Sequence, residues 1–115
     1  MSGVTKDRYT YGREQEEKIA RSLRHRGAKV VLSPGSRGAA DLTAEFSTGT
    51  IWKIQSKASQ RDIPNSLRPK ELGRLKQSAT KSGATPVIAE VTSEGIDYFS
   101  ARSGRRLKPP TRKRN

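Results

Sequence analysis

Two neighbouring apolar stretches carry polar residues that could handle a metal ion and a phosphate together. Asp41 opens the first stretch, and Gln55 and Lys57 lie two apart in the second, IWKIQSKA. Residues two apart in a strand share a face, so Gln55 and Lys57 point the same way. Carboxylate, amide and backbone carbonyl oxygens suit a hard divalent cation. An ammonium beside that cation can offset charge developing on a phosphate, so these residue types suit phosphodiester hydrolysis.

The first predicted helix adds an acid to this set. Its apolar residues form one stripe, Ile19, Ala20 and Leu23. Glu16 lies on the same stripe, because residues three, four and seven apart stack on one side of a helix. A carboxylate on the buried side is unfavourable unless a cation or metal meets it. Glu16 therefore joins Asp41 as a candidate site residue.

Each of these residues also has an ordinary structural explanation. The face of Lys53, Gln55 and Lys57 could simply be solvated, and Asp41 could only turn the backbone after a Gly/Ala loop. Glu16 alone could be an acid near a frayed helix start. Their occurrence together in one short chain favours the site.

The elements that must position these residues follow a simple order. Apolar periodicity and turn residues predict a helix over about 10–26, strands at 28–33, 42–46 and 50–58, a helix over 69–83, and strands in TPVIAEVTS and GIDYFSA. We expect an α/β fold with a mixed sheet of about five strands flanked by helices. We also expect a flexible N-terminal arm at 1–8, a single domain at 9–101 and a disordered basic tail at 102–115.

Composition restricts the partner more than the activity. Lys and Arg outnumber Asp and Glu by 24 to 11, and the net charge of +13 on 115 residues favours a polyanion, above all nucleic acid. The absence of cysteine excludes zinc fingers and cysteine catalysis. Without a membrane-spanning stretch or a signal peptide, we expect an intracellular, cytoplasmic protein associated with the nucleoid, neither secreted nor bound to a membrane.

The order of these motifs resembles the PD-(D/E)XK nuclease superfamily, in which a helix with an inward Glu precedes an Asp and, across a hairpin, a Glu-x-Lys strand. Within it the chain looks most like the archaeal-type Holliday junction resolvases. The likeness rests on GREQE, on RHRGAKVVLSPGS, on the IWKIQSK strand after Asp41, and on ELGRLKQSATKSGATPVIAEV. It runs from about Tyr9 to Ser100 and implies a restriction-endonuclease-like fold.

The resemblance implies a role for each site residue. Glu16 corresponds to the helix acid, Asp41 to the first metal ligand, Lys57 to the catalytic lysine and Ser36 to a serine of the loop ahead of the aspartate. Gln55 departs from the pattern, because the family usually has an acid there. The implied metal is Mg²⁺, with Mn²⁺ as an alternative. Its implied ligands are Asp41, Gln55 and the backbone carbonyl of Ser56, with Glu16 as a further candidate.

A basic track is expected to bind the DNA backbone around this site. Its candidate residues are Arg13, Ser33, Arg37, Arg61, Arg68, Lys70 and Arg74, although each single cation could equally be a solvated surface charge. Symmetric cutting of two strands calls for a homodimer. Glu45 is on the same alternate face of its strand as Asp41 and could compensate for the missing acid at Gln55.

These observations predict a Mg²⁺-dependent, structure-selective endodeoxyribonuclease of DNA recombination and repair, most specifically a Holliday junction resolvase. Two alternatives stay open. One is a catalytically inactive protein of the same fold that binds junction or branched DNA, since Gln55 removes a formal negative charge from the metal site. The other is a restriction or repair nuclease of the same superfamily that cuts duplex DNA.

Overall fold

The computed structural model describes residues 8–33, 40–58 and 69–110. In chain order the elements are α1 Arg8–His25, β1 Lys29–Leu32, β2 Leu42–Glu45, β3 Ile51–Ala58, α2 Pro69–Ser82, β4 Thr85–Thr92, β5 Gly95–Ser100 and β6 Arg106–Leu107. The first seven match the predicted helices and strands within a few residues at each end. No helix of the described chain is long and apolar enough to cross a membrane.

One mixed sheet organises the molecule. Its six strands lie in chain order, β1 to β6, and β3 and β4 pair in parallel while all other neighbours pair antiparallel. A parallel pair needs a crossover connection, and α2 lies in the segment that makes it. The predicted α/β fold with a mixed sheet and flanking helices is confirmed, with six strands instead of about five.

The helices cover opposite faces of the sheet. The larger core contains the buried stripe of α1 together with Trp52, Ile54 and Val87. The smaller core contains Leu75 of α2, and Ile88 packs against it. Val87 and Ile88 are consecutive in β4, so their side chains point to opposite faces. Each polar residue of β3 can therefore be assigned to the α1 face or the α2 face.

The end of α1 fixes how this helix enters the sheet. Gly27 takes a φ of 93°, in the left-handed region where glycine avoids a side-chain clash. The N–H groups of Arg26 and Ala28 both donate to the carbonyl of Leu23. These bonds satisfy a helix-end carbonyl and turn the chain directly into β1. The buried stripe and Glu16 are thereby held against the sheet.

The structure differs from the predicted tail over residues 102–110. β6 pairs antiparallel with β5, with Leu107 opposite Tyr98. Arg106 forms an ion pair with Asp97 at 3.2 Å, and its guanidinium lies 5.9 Å from the centre of the Phe99 ring. The basic, Pro-rich composition of this segment predicted a disordered tail, because a strand of two residues leaves no periodic pattern in the sequence. Residues 111–115 and 1–7 lie outside the described residues, and α1 begins at Arg8, inside the predicted arm.

Truncation tests whether the C-terminal segment is a disordered tail or a structural strand. Ending the chain after Ala101 removes Leu107, which packs against the larger core, and is expected to destabilise the fold by about 1–3 kcal/mol. Ending it after Pro110 keeps β6 and is expected to change stability little. Urea unfolding followed by circular dichroism measures both. Equal stability of the two truncations would contradict a structural role for β6.

Candidate active site

Asp41 lies just ahead of β2, between β1 and β3. Its backbone N–H donates to the Ile54 carbonyl at 2.8 Å, and its own carbonyl accepts from the Ser33 N–H at 2.8 Å. The Ser56 N–H donates to Asp41 Oδ2 at 2.9 Å. The carboxylate thus takes the place of a main-chain acceptor where the β2–β3 ladder ends. This contact fixes Asp41 against β3 at the level of Gln55 and Ser56.

The alternation of β3 divides its residues between the two faces of the sheet. Trp52 and Ile54 are buried in the α1 core. Lys53, Gln55 and Lys57 point to the α2 face and are all partly buried. Since Leu42 pairs with Ile54 in the antiparallel register, Gln55 comes next to Asp41 across the hairpin. The sequence-predicted residues Asp41, Gln55 and Lys57 therefore lie at one end of the β2–β3 pair.

Glu16 approaches Asp41 from α1, which covers the face of the sheet opposite to that of Gln55 and Lys57. Its side chain is 15% exposed, and the Arg13 guanidinium is 3.4 Å from its carboxylate. Burial raises the pKa of Glu16, the nearby charge of Asp41 raises it further, and Arg13 partly opposes the rise. The same guanidinium nitrogen donates to the Ser33 carbonyl at 3.4 Å. The carboxylates of Glu16 and Asp41 therefore lie within electrostatic reach of each other. The Arg13 guanidinium links α1 to Ser33, the residue that follows β1.

The raised pKa makes the charge on Glu16 unfavourable for folding at neutral pH. The penalty is absent below the ordinary value of 4.5, grows as the pH rises toward the folded pKa, and is constant above it. Without added metal, Glu16→Gln is expected to raise Tm at pH 7 and to give no gain below pH 4.5. Thermal melts of both proteins at a series of pH values from about 3.5 to 8 measure this difference.

The exposed neighbour Glu17 supplies the matched control for that series. Glu17→Gln removes the same charge from the next position of α1, but its side chain is exposed. Its Tm relative to wild type is expected to vary little with pH. If Glu16→Gln behaves like Glu17→Gln at every pH, burial and Asp41 do not act on Glu16 as described.

The donor set at this place fits a hard divalent cation. The available donors are all oxygens: the Asp41 carboxylate, the Gln55 amide, the Ser56 carbonyl and the nearby Glu16 carboxylate. The influence of Asp41 on the Glu16 pKa shows two like charges that a cation would offset. Within residues 8–33, 40–58 and 69–110, however, no three His, Cys, Asp or Glu side chains are grouped closely enough to hold a metal. The site carries two acids and an amide.

A pocket of about 350 Å³ opens beside Lys57 on the α2 face. Its walls are Lys57, Leu72, Ile88, Glu90, Phe99, Ser100, Ala101 and Gly104. Glu90 is a register partner of Lys57 across the parallel β3–β4 pair. The sequence analysis missed this acid, because its only signal is a long-range strand register. Glu45, the residue suggested to compensate for Gln55, is instead exposed and pairs with Ile51 at the far end of the hairpin.

The predicted DNA-binding residues are placed in different ways. Lys70 and Arg74 are exposed on successive turns of α2. The Ser33 hydroxyl donates to the Ala40 carbonyl at 2.8 Å and so links the residues on either side of positions 34–39, which lie outside the described residues. Ser36, Arg37, Arg61 and Arg68 lie outside the described residues. A second basic surface, which the sequence analysis missed, lines a pocket on α1 with Lys18, Arg21, His25 and Arg26.

Comparisons with known proteins agree with this architecture. A family model described as archaeal Holliday junction resolvase (Hjc) matches residues 7–103. Among solved structures, the chain is similar to the 1.6 Å structure of Archaeoglobus fulgidus Hjc, a Holliday junction resolvase from an archaeal hyperthermophile. The TM-score is 0.70 at 18% sequence identity, covering 82% of this chain and 84% of that one. No curated protein sequence matches.

Proposed function

The chain belongs to the archaeal Holliday junction resolvase family, and we propose that it is a Mg²⁺-dependent endonuclease that cuts four-way or otherwise branched DNA. The family consists of nucleases that generally depend on a divalent metal. The observation that carries the proposal for this chain is the meeting of Asp41, Gln55 and Lys57 at one end of the β2–β3 pair, with Glu16 within electrostatic reach.

Each side chain has a proposed part in the hydrolysis. Asp41, the Gln55 amide and the Ser56 carbonyl would hold Mg²⁺, and Glu16 would add charge from α1. When bound, such a cation polarises the phosphate and makes a bound water a better nucleophile. The Lys57 ammonium offsets the negative charge that develops on the phosphate oxygens as water adds to phosphorus. Arg13 holds Glu16 in place through their 3.4 Å contact.

The basic surfaces support the choice of substrate. Lys70 and Arg74 would track a phosphate backbone along α2, on the face that carries Lys57, while Lys18 and Arg21 would meet DNA on the opposite side of the sheet. A branched DNA can reach both surfaces because its arms diverge. Symmetric cleavage of a junction further requires two active sites, so we propose a homodimer that acts inside the cell, where chromosomal junctions form.

A second candidate function is junction binding without cleavage. Two observations favour it: Gln55 is neutral where the family usually has an acid, and the described chain lacks a cluster of three metal-binding side chains. This protein would keep the fold and the basic surfaces, and its binding to junctions would be indifferent to Mg²⁺.

A junction-cleavage assay with a metal titration tests the proposal. Four-way junction DNA incubated with protein and increasing Mg²⁺ or Mn²⁺ is expected to give paired nicks near the crossover. An excess of linear duplex should compete poorly. Strong competition would favour a duplex nuclease of the same superfamily. Tight binding with no cleavage of junction, flap or duplex DNA in either metal would favour the non-catalytic candidate.

A further inference from the structure

The strand register assigns a role to Glu90: we propose that its carboxylate, on β4, positions the Lys57 ammonium of β3. Glu90 would act through Lys57 and would not touch the phosphate. The inference rests on the proposed function for its catalytic consequence, while the contact between the two residues can be tested independently.

Glu90 and Lys57 are neighbours across the β3–β4 pair. Lys57 and Glu90 are partners in the parallel β3–β4 register, and paired strands lie about 4.8 Å apart. Glu90 follows Ile88 by two residues, so both point to the α2 face, as Lys57 does. Both charged side chains line the same pocket. Their side chains therefore rise side by side from one surface of the sheet.

The acid next to Glu90 on the same face, Asp97, already has a partner. Asp97 is the register partner of Glu90 on β5, but its carboxylate forms an ion pair with Arg106 at 3.2 Å. Within the described chain neither Glu90 nor Lys57 forms an ion pair, so no other partner competes when the two side chains turn toward each other. The nearest cation that strand pairing brings to it is Lys57. A lysine ammonium on a flexible four-carbon stem needs such a partner to hold one direction.

Glu90 is separate from the pair of acids formed by Glu16 and Asp41. The charges that act on Glu16 come from Asp41, Arg13 and Glu17, and Glu90 is not among them. Asp41 lies on the β2 side of β3, whereas Glu90 lies on the β4 side. The two carboxylates thus flank the strand that carries Lys57. Glu90 belongs with the lysine and not with the pair of acids.

The test uses Glu90→Gln, which keeps size and hydrogen bonding but removes the charge. Junction cleavage at saturating Mg²⁺ is expected to fall about 10-fold, within the range for a positioned catalytic group. The junction Kd and the half-saturating Mg²⁺ concentration should not rise. Glu90→Asp, which keeps the negative charge, should cleave faster than Glu90→Gln and more slowly than wild type. Glu94→Gln, in the exposed turn between β4 and β5, is the matched control and should cleave like wild type.

Three cleavage results would overturn the assignment. The first is wild-type cleavage by Glu90→Gln. The second is a loss of cleavage that excess Mg²⁺ restores, because that would make Glu90 a metal ligand. In a Lys57→Ala background, Glu90→Gln should cause no further loss. A full additional 10-fold loss there would also contradict a role exerted through the lysine.

A chemical readout keeps this inference distinct from the proposed function. Reductive methylation followed by peptide mass spectrometry measures the reactivity of Lys57, with Lys53 of the same strand as the internal reference. In Glu90→Gln, methylation of Lys57 relative to Lys53 is expected to rise several-fold, because the ammonium loses its carboxylate partner. This holds even if the wild type cleaves nothing. An unchanged ratio would refute the contact, whatever the enzyme activity.

Discussion

Replacing Lys57 with alanine is expected to slow junction cleavage strongly while the protein still folds and binds DNA. The ammonium is the one cation that β3 places at the end of the β2–β3 pair where Asp41 and Gln55 lie. Removing a charge that stabilises the developing phosphate anion is expected to lower the cleavage rate by about 10²–10³-fold. Binding should lose at most about one phosphate contact from its salt dependence. Single-turnover cleavage and a filter-binding titration measure the two effects.

Lys53→Ala is the control for this experiment. Lys53 lies on the same strand and points to the same face, but it pairs with Thr43 and Pro86, away from Asp41. Both substitutions remove one positive charge from β3, so both should weaken DNA binding equally. Only Lys57→Ala should slow cleavage by about two to three orders of magnitude. Equal cleavage by the two variants would mean that Lys57 is an ordinary surface charge.

The elements around this lysine are those that local sequence describes best. The alternation of side chains along IWKIQSKA predicts that Gln55 and Lys57 share one face, whatever the neighbouring strands are. The turn after Phe46 gave the hairpin, in which the Phe46 N–H donates to the Thr50 carbonyl at 2.9 Å. Because Asp41 and Gln55 meet across that hairpin, their proximity follows from short-range pattern. Glu16 followed from the helical stripe with Ile19 for the same reason.

Long-range pairing explains what the sequence did not predict. Glu90 meets Lys57 only because β3 and β4 align in parallel after the α2 crossover, and no local period encodes that register. β6 is similar, since its two residues gain their structure from β5. The basic surface of α1 was missed for another reason: in the sequence its Lys and Arg residues look like ordinary solvated charges on the exposed side of a helix, and only the structure shows that they line one pocket.

Replacing Gln55 with glutamate is expected to restore the acid that the family usually has. The new carboxylate would join Asp41 and Glu16, and a divalent cation is bound more tightly as anionic oxygen ligands are added. The half-saturating Mg²⁺ concentration for cleavage should fall about 10-fold or more, comparable to the effect of a metal-site substitution. Without metal, a third like charge should instead lower Tm, because the repulsion that already raises the pKa of Glu16 increases.

Gln77→Glu on α2 is the matched control, since Gln77 is exposed and the substitution adds the same charge. It should weaken DNA binding slightly and leave the metal dependence unchanged. A wild type that binds junctions without cutting, together with a Gln55→Glu variant that cuts, would identify the protein as a junction binder that lost its metal through one amide. Equal Mg²⁺ dependence of wild type, Gln55→Glu and Gln77→Glu would instead remove Gln55 from the metal site. Any cleavage would then depend on a metal held by Asp41, the Ser56 carbonyl and Glu16, together with the Lys57 ammonium.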